Sequence, residues 1–411
     1  MFSNKIHHQK SLIVLSGIIL GISLFIACTN DPKKTSPITT AAPGYSEFAG
    51  SQACAACHKD IYESHIHTSH FHTSEPATEG SIKGSFDSGA NRFYFDPETY
   101  VQMEKKNGRP YQAAWFRGEE KKAEPFDIIT GSGKKGQTFL YWKNNHLFQL
   151  PITWFTSLHQ WTNSPGFSNK VVFNRPITSR CLECHSTYFQ KTSDPQQDAE
   201  EFSPTNIVYG VTCEKCHGPG AQHIAFHSKN PGQKTGKFII NTAALTRQQN
   251  LDLCKLCHGG RLRKTAPSFS FQAGDTLSRF FEQSNAPPAP DEIDVHGNQY
   301  GLLASSKCFQ GSQMTCITCH DPHANEQNML KTYSQRCMSC HNQEHNNFCK
   351  LKDKEKYDIT SNCIDCHMPD QSSRAIMVLL QGENIPTSAS MRTHYITVYP
   401  AETKKYLTAH K

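Results

Sequence analysis

Val211-Thr-Cys-Glu-Lys-Cys-His-Gly-Pro-Gly-Ala-Gln-His223 holds two cysteines separated by two residues, with a histidine directly after the second. This is the spacing of covalent c-type haem attachment. Two thiols so spaced can each form a thioether to one of the two vinyl groups on one side of a porphyrin, and the adjacent histidine then lies beneath the iron. Gly218, Pro219 and Gly220 favour a turn after that histidine. His223 follows the turn, placed to ligate an iron from the distal side.

The unit recurs at Cys54/Cys57/His58, Cys181/Cys184/His185, Cys213/Cys216/His217, Cys254/Cys257/His258, Cys316/Cys319/His320, Cys337/Cys340/His341 and Cys363/Cys366/His367, seven copies in all. Chance predicts roughly 0.04 copies for 17 cysteines and 22 histidines in 411 residues. Zinc sites built from Cys-x-x-Cys pairs are the bland alternative, but zinc does not require a histidine directly after every pair. The expectation is seven covalently attached haem c groups, with the seven motif histidines as proximal iron ligands.

Three cysteines, Cys28, Cys308 and Cys349, lie outside the motifs. The apolar fraction is 36%, low for a packed globular chain. Porphyrin faces would supply the missing apolar surface. The expected fold class is therefore mainly α with extensive loops organised around covalently bound haems. The formal charge of +6 includes Lys5 and Lys10 and omits the haem propionates, so the mature haem-loaded protein is expected to be acidic. There is no basic block or aromatic stacking platform to support a nucleic-acid partner.

Residues 1–27 read as a lipoprotein signal peptide. Lys5 and Lys10 form a basic start, and Leu12 to Ala27 is an apolar run too short to span a membrane comfortably. Leu24-Phe25-Ile26-Ala27-Cys28 resembles a lipoprotein cleavage site, with lipidation expected on Cys28 and a membrane contact through that anchor. Residues 28–48 read as a flexible tether rich in Pro, Thr, Ser and Lys. Residues 49–400 form the multihaem domain, and 401–411 a C-terminal tail.

Within that domain, 59–180 contains a small β-rich insertion. Gln137 to Trp142 and Leu147 to Leu150 flank a polar turn at Lys143-Asn-Asn-His146, a hairpin pattern. Phe93 to Phe95 and Ile128-Ile129 suggest further strands. Gly131-Ser-Gly-Lys-Lys-Gly136-Gln137 lacks the lysine a phosphate-binding loop requires, so a nucleotide site is rejected. Segments 181–258 and 316–367 are three-haem modules, and the connections within them leave room only for short helices. The cluster His65, His67, His70 and His72 allows a separate metal site, but the simpler reading uses His70 as an iron ligand. The distal candidates are His70, His223, His296, His323 and His394, followed by His159, His227 and His345.

These residues resemble the cytochrome c-554/c-552 type of multihaem cytochrome. The resemblance is carried by Gly50-Ser-Gln-Ala-Cys54 with Tyr62, by Gly210 to Gly220, by Met314-Thr-Cys316 through His323, and by His367-Met-Pro369. It implies haems packed as stacked or T-shaped neighbours that pass electrons along the chain. Related nitrite reductases carry lysine in place of the motif histidine at the catalytic haem. All seven motifs here end in histidine, so that role does not carry over, and the cross-linking tyrosine of hydroxylamine oxidation has no firm counterpart.

The expected function is electron transfer in a bacterial envelope, by an exported lipoprotein facing the periplasm or on the outer membrane. Its partners would be other cytochromes or a quinol-linked complex. The rival is an oxidoreductase acting on a small nitrogen or sulfur compound at one open haem, with Arg175, Arg180 and Tyr209 supplying protons and charge. An electron-transfer protein is favoured over a stand-alone enzyme. Cys308 and Cys349 could form a disulfide or remain free thiols.

Overall fold

Backbone turns that need positive φ organise the first half of the chain. Asn107-Gly108, Arg117-Gly118 and Asn144-Asn145 all lie in the left-handed region. Each closes a two-residue hairpin, because this turn geometry matches the right-handed twist of the flanking strands. The computed structural model describes residues 41–193, 199–282, 288–345, 347–351, 358–383 and 385–409. The signal peptide, Cys28 and the tether up to residue 40 lie outside the described residues.

The hairpins generate two antiparallel sheets. One comprises β2 (Arg92–Tyr94), β3 (Thr99–Lys106), β4 (Arg109–Phe116) and β5 (Glu119–Pro125) in that order. The other has β1 (Ser74–Pro76), β6 (Ile128–Thr130), β7 (Gly136–Lys143), β8 (His146–Gln149) and β11 (Arg175–Pro176) in its main path. Its branch is β9 (Ile152–Phe155), paired with both β7 and β10 (Gln160–Asn163). Phe93, Val101, Met103, Phe126, Phe139, Ile152 and Trp161 fill one shared core. Buried Gln112 of β4 ties the sheets together: its side chain donates to the Ile152 carbonyl at 2.7 Å and accepts from the Ile152 amide at 3.0 Å. The hairpin expected at 137–150 is present, with Lys143 paired to His146. Gly131 to Gly136 is the β6–β7 turn, and its Lys134 donates to Asn325 at 3.0 Å and Lys135 to the Ser390 carbonyl at 2.8 Å.

The expected mainly α class is overturned. The chain is 27% helical and 25% strand. Beyond the insertion, β12 (Ser186–Lys191) pairs with β13 (Phe202–Tyr209), and β14 (Asp370–Val378) with β15 (Thr387–Arg392). The physical reason is that an attachment motif asks for about one turn of helix. The helices that carry motifs are accordingly short, such as Ser51–Cys54, Cys213–His217 and Ile364–His367. The connecting segments were free to become strands where aromatic and β-branched residues favour it, as in Ser186-Thr-Tyr-Phe.

Candidate haem-iron centres

The motif cysteines and histidines sit at helix ends, where backbone hydrogen bonds hold the turn. The His58 amide donates to the Cys54 carbonyl at 2.9 Å, His320 to Cys316 at 3.0 Å, and His341 to Cys337 at 2.9 Å. Five motif histidines have Nδ1 engaged: His217 with the Ile240 carbonyl at 2.9 Å, His367 with Thr397 at 2.9 Å, His341 with Asn347 at 3.3 Å, His258 with Gln299 Oε1 at 3.1 Å, and His320 with the Tyr333 hydroxyl at 3.3 Å. Occupying Nδ1 fixes the ring and presents Nε2, the arrangement of a metal-ligating histidine.

Four sequence candidates come to face motif histidines. The rings of His70 and His258 have centroids 6.2 Å apart, those of His323 and His217 6.1 Å, and those of His394 and His320 6.1 Å. A metal–imidazole bond of about 2.0 Å on each side, plus about 1.1 Å from nitrogen to ring centre, puts two trans imidazoles ~6.2 Å apart. His296 lies within electrostatic reach of His185. Buried ring nitrogens add to the fit. Nδ1 of His185 and of His394 have no well-formed hydrogen bond, only poorly aligned contacts to the Thr73 and Arg392 backbones. A bound group would satisfy the rings that the chain itself leaves incomplete. Burial pushes His70 and His394 down to about 4, so both rings are neutral and able to ligate at pH 7. Among the described residues no cluster of three or more His, Cys, Asp or Glu forms a donor set of the kind zinc takes.

Each facing histidine is delivered by a different part of the fold. His70 is clamped where the Val211 amide donates to its carbonyl at 2.9 Å and the Gly131 amide donates to Thr73 at 2.8 Å. Gly210, beside Val211, has φ 69°, and a Cβ there would lie 2.0 Å from the Phe71 carbonyl oxygen, so only glycine permits this approach. His296 sits in the loop before the helix Gln299–Ala304, its amide donating to Asp294 at 2.8 Å. His394 follows β15, and Ser306 Oγ donates to its carbonyl at 3.2 Å.

His323 depends on a residue that the sequence did not single out for the task. His65 Nδ1 meets the Pro322 carbonyl at 3.3 Å and Nε2 the Val211 carbonyl at 3.1 Å, and Ser64 donates to the His323 carbonyl at 2.7 Å. His65 also lies 6.2 Å from His323, but its nitrogens are already engaged, so it holds the segment in place. The only advance signal was its place in the crowded run after the first motif. His72 likewise bonds the Ile66 carbonyl at 2.8 Å.

Other candidates are placed elsewhere. His223 has Nδ1 on the Lys237 carbonyl at 2.8 Å and its ring 4.6 Å from His227. His159 packs edge-on against Trp154, and His345 is exposed. Arg175 donates to the Pro165 carbonyl at 2.9 Å, while Arg180 donates to the Leu256 carbonyl at 2.7 Å and to Cys184 Sγ at 3.2 Å. Tyr209 is pushed up to about 12 by burial and lines a cavity of about 430 Å³ with Tyr45, Phe48, Phe71 and Ile207, between the first and third motifs. Cys308 and Cys349 are both free thiols; Cys308 lies near Cys319 and Cys340, and Cys349 near Cys366. No helix among the described residues is long and apolar enough to cross a membrane.

Comparison with known proteins agrees with this donor set. The family described as cytochrome c554 and c-prime matches residues 141–218. The multiheme cytochrome MtrA of Shewanella baltica is 26% identical over 177 residues, which are 39% of this chain and 51% of that protein. The dissimilatory sulfite reductase MccA of Wolinella succinogenes is 28% identical over 200 residues, 46% of this chain and 24% of that one. The C-type polyheme cytochrome OmcC of Geobacter sulfurreducens is 23% identical over 171 residues, 37% and 21% of the two chains. The chain thus spans about half or less of the length of these relatives. The crystal structure of the outer cell wall cytochrome OcwA aligns over 88% of this chain and 82% of that one, with 16% identity and a TM-score of 0.49, below the level at which a shared fold can be argued.

Proposed function

This chain is a multihaem c-type cytochrome, and we propose that it carries electrons through seven closely packed haems in the bacterial cell envelope. The bound groups supply a reversible one-electron iron couple. The chain's residues attach them, orient the axial imidazoles and bury the assembly. The observation that carries the reading is the set of three imidazole pairs 6.1–6.2 Å apart, each joining a motif histidine to a histidine distant in sequence. Two histidines on one iron leave no open position, which suits electron transfer. The proposed pairs are His70 with His258, His323 with His217, His394 with His320, and His296 with His185. Export as a lipoprotein anchored through Cys28, with other envelope cytochromes or a quinol-linked complex as partners, completes the reading. The sulfite reductase among the relatives supports a second one, reduction of a small oxyanion at an open haem.

Low-temperature EPR of the oxidised protein, with iron quantified, separates the two. Low-spin signals accounting for about seven irons per chain support the electron carrier. A high-spin component equal to one iron per chain supports the enzyme. At a single site, His323→Met is expected to replace a bis-imidazole signature by a His–Met one in near-infrared magnetic circular dichroism. It should raise one potential by on the order of 0.1 V. An unchanged spectrum would remove His323 from the ligand set.

A further inference from the structure

Which attachment sites are neighbours cannot be read from motif order, and contacts between motifs supply the answer. The first and third motifs touch. Cys54 and Cys213 share a thiol–thiol hydrogen bond, and Glu214 accepts from the Ala49 amide at 2.7 Å and the Gly50 amide at 2.9 Å. The second and fourth touch: Cys184 hydrogen-bonds Cys257, and Arg180, on the second motif's helix, donates to the Leu256 carbonyl at 2.7 Å. The fourth and fifth touch through Cys254 and Cys316, with Arg247 donating to the Met314 carbonyl at 3.1 Å. The sixth and seventh touch through Cys337 and Cys363, with the Cys363 amide donating to Ser334 at 2.9 Å.

Two further links join these pairs. Cys216 of the third motif lies within electrostatic reach of Cys254 of the fourth. Arg336, beside Cys337, donates to the Cys319 carbonyl at 2.7 Å, and Cys340 lies near Cys319. The fourth motif therefore neighbours the second, third and fifth.

We infer that the haems form a branched array whose junction is the site of Cys254, Cys257 and His258, with three ends at the first motif, the second motif and the sixth–seventh pair. The inference rests on the proposed haem-carrying reading and adds the connectivity. Each motif sulfur is bonded directly to a vinyl carbon at the porphyrin edge, so two sulfurs in contact bring two macrocycle edges together. Electron tunnelling falls off exponentially with that edge separation, so sulfur contacts mark the fast connections. The exposure of the cysteines agrees. Cys57, Cys181 and Cys340 are exposed, one at each of the three ends, whereas every cysteine of the third, fourth and fifth motifs is partly covered. The three ends are therefore where redox partners reach the array, and a partner at the second motif joins the path at its middle.

The test is a cryo-EM or crystal structure of the haem-loaded full chain, with haem content counted by intact mass. Seven haems are expected, with the fourth-motif iron nearest to those of the second, third and fifth motifs. Seven haems in an unbranched order, or the second-motif haem adjoining the third in place of the fourth, would overturn the junction and leave the electron-carrying reading intact. Fewer than seven haems would overturn both.

Discussion

The sheets of residues 74–176 and the motif-bearing segments are held by different means. In the sheets, Phe93, Val101, Met103, Phe139 and Ile152 are all at most 1% exposed, and they pack against one another. Around the motifs, the helices Ser51–Cys54, Ala221–Lys229 and Pro400–Ala409 have no buried residue. Polar clamps take the place of a core there: Glu214 on three amides, Glu183 accepting from the Phe269 amide at 2.7 Å, and Arg336 paired with Glu326 at 2.7 Å. One region encloses its own side chains. The other builds a polar frame around surfaces that its side chains leave uncovered, as a chain shaped to carry large apolar plates must.

The comparison can be broken by substitutions read by hydrogen exchange on the haem-loaded protein. The largest effect is expected from Phe139→Ala, which opens a cavity in the sheet core and costs about 3–5 kcal/mol. Exchange should accelerate in β6 to β8 while the motif peptides and the haem absorption spectrum stay as they were. Equal acceleration in both regions would show that they unfold as one unit. Next comes Glu214→Ala, which strands the amides of Ala49, Gly50 and Gly220. The expected loss is ~3 kcal/mol, since hydrogen bonds to a charged acceptor are among the stronger ones. It should be confined to peptides around the first and third motifs, and faster exchange in the sheets would contradict the division. The smallest is Gly108→Ala, which forces a side chain into the β3–β4 turn at φ 77°. It should cost about 1 kcal/mol and quicken exchange only at the ends of those two strands.

Legibility in the sequence followed the range of the interaction. The β7–β8 hairpin was readable because Asn144 and Asn145 sit between alternating residues, and Asn107-Gly108 carried an equally strong turn signal that was passed over. The strands β12 and β13 were missed because haem spacing was taken to imply helix, although Tyr188, Phe189 and Ile207 already favoured strands. The importance of His70, His296, His323 and His394 was visible in their positions relative to turns and motifs. Their partners were not, because each pair joins segments far apart in sequence. His65, whose two ring nitrogens bridge Val211 and Pro322, had no local pattern to mark it as a clamp.

The sequence by itself determined where haem can be attached, because two thioethers and a proximal histidine fit within one helical turn and need no long-range contact. Tertiary structure alone decided which distant histidine faces each motif and which motifs adjoin. Those relations depend on how the loops before residues 299 and 323 and after β15 return to the motifs, and no spacing along the chain encodes that path.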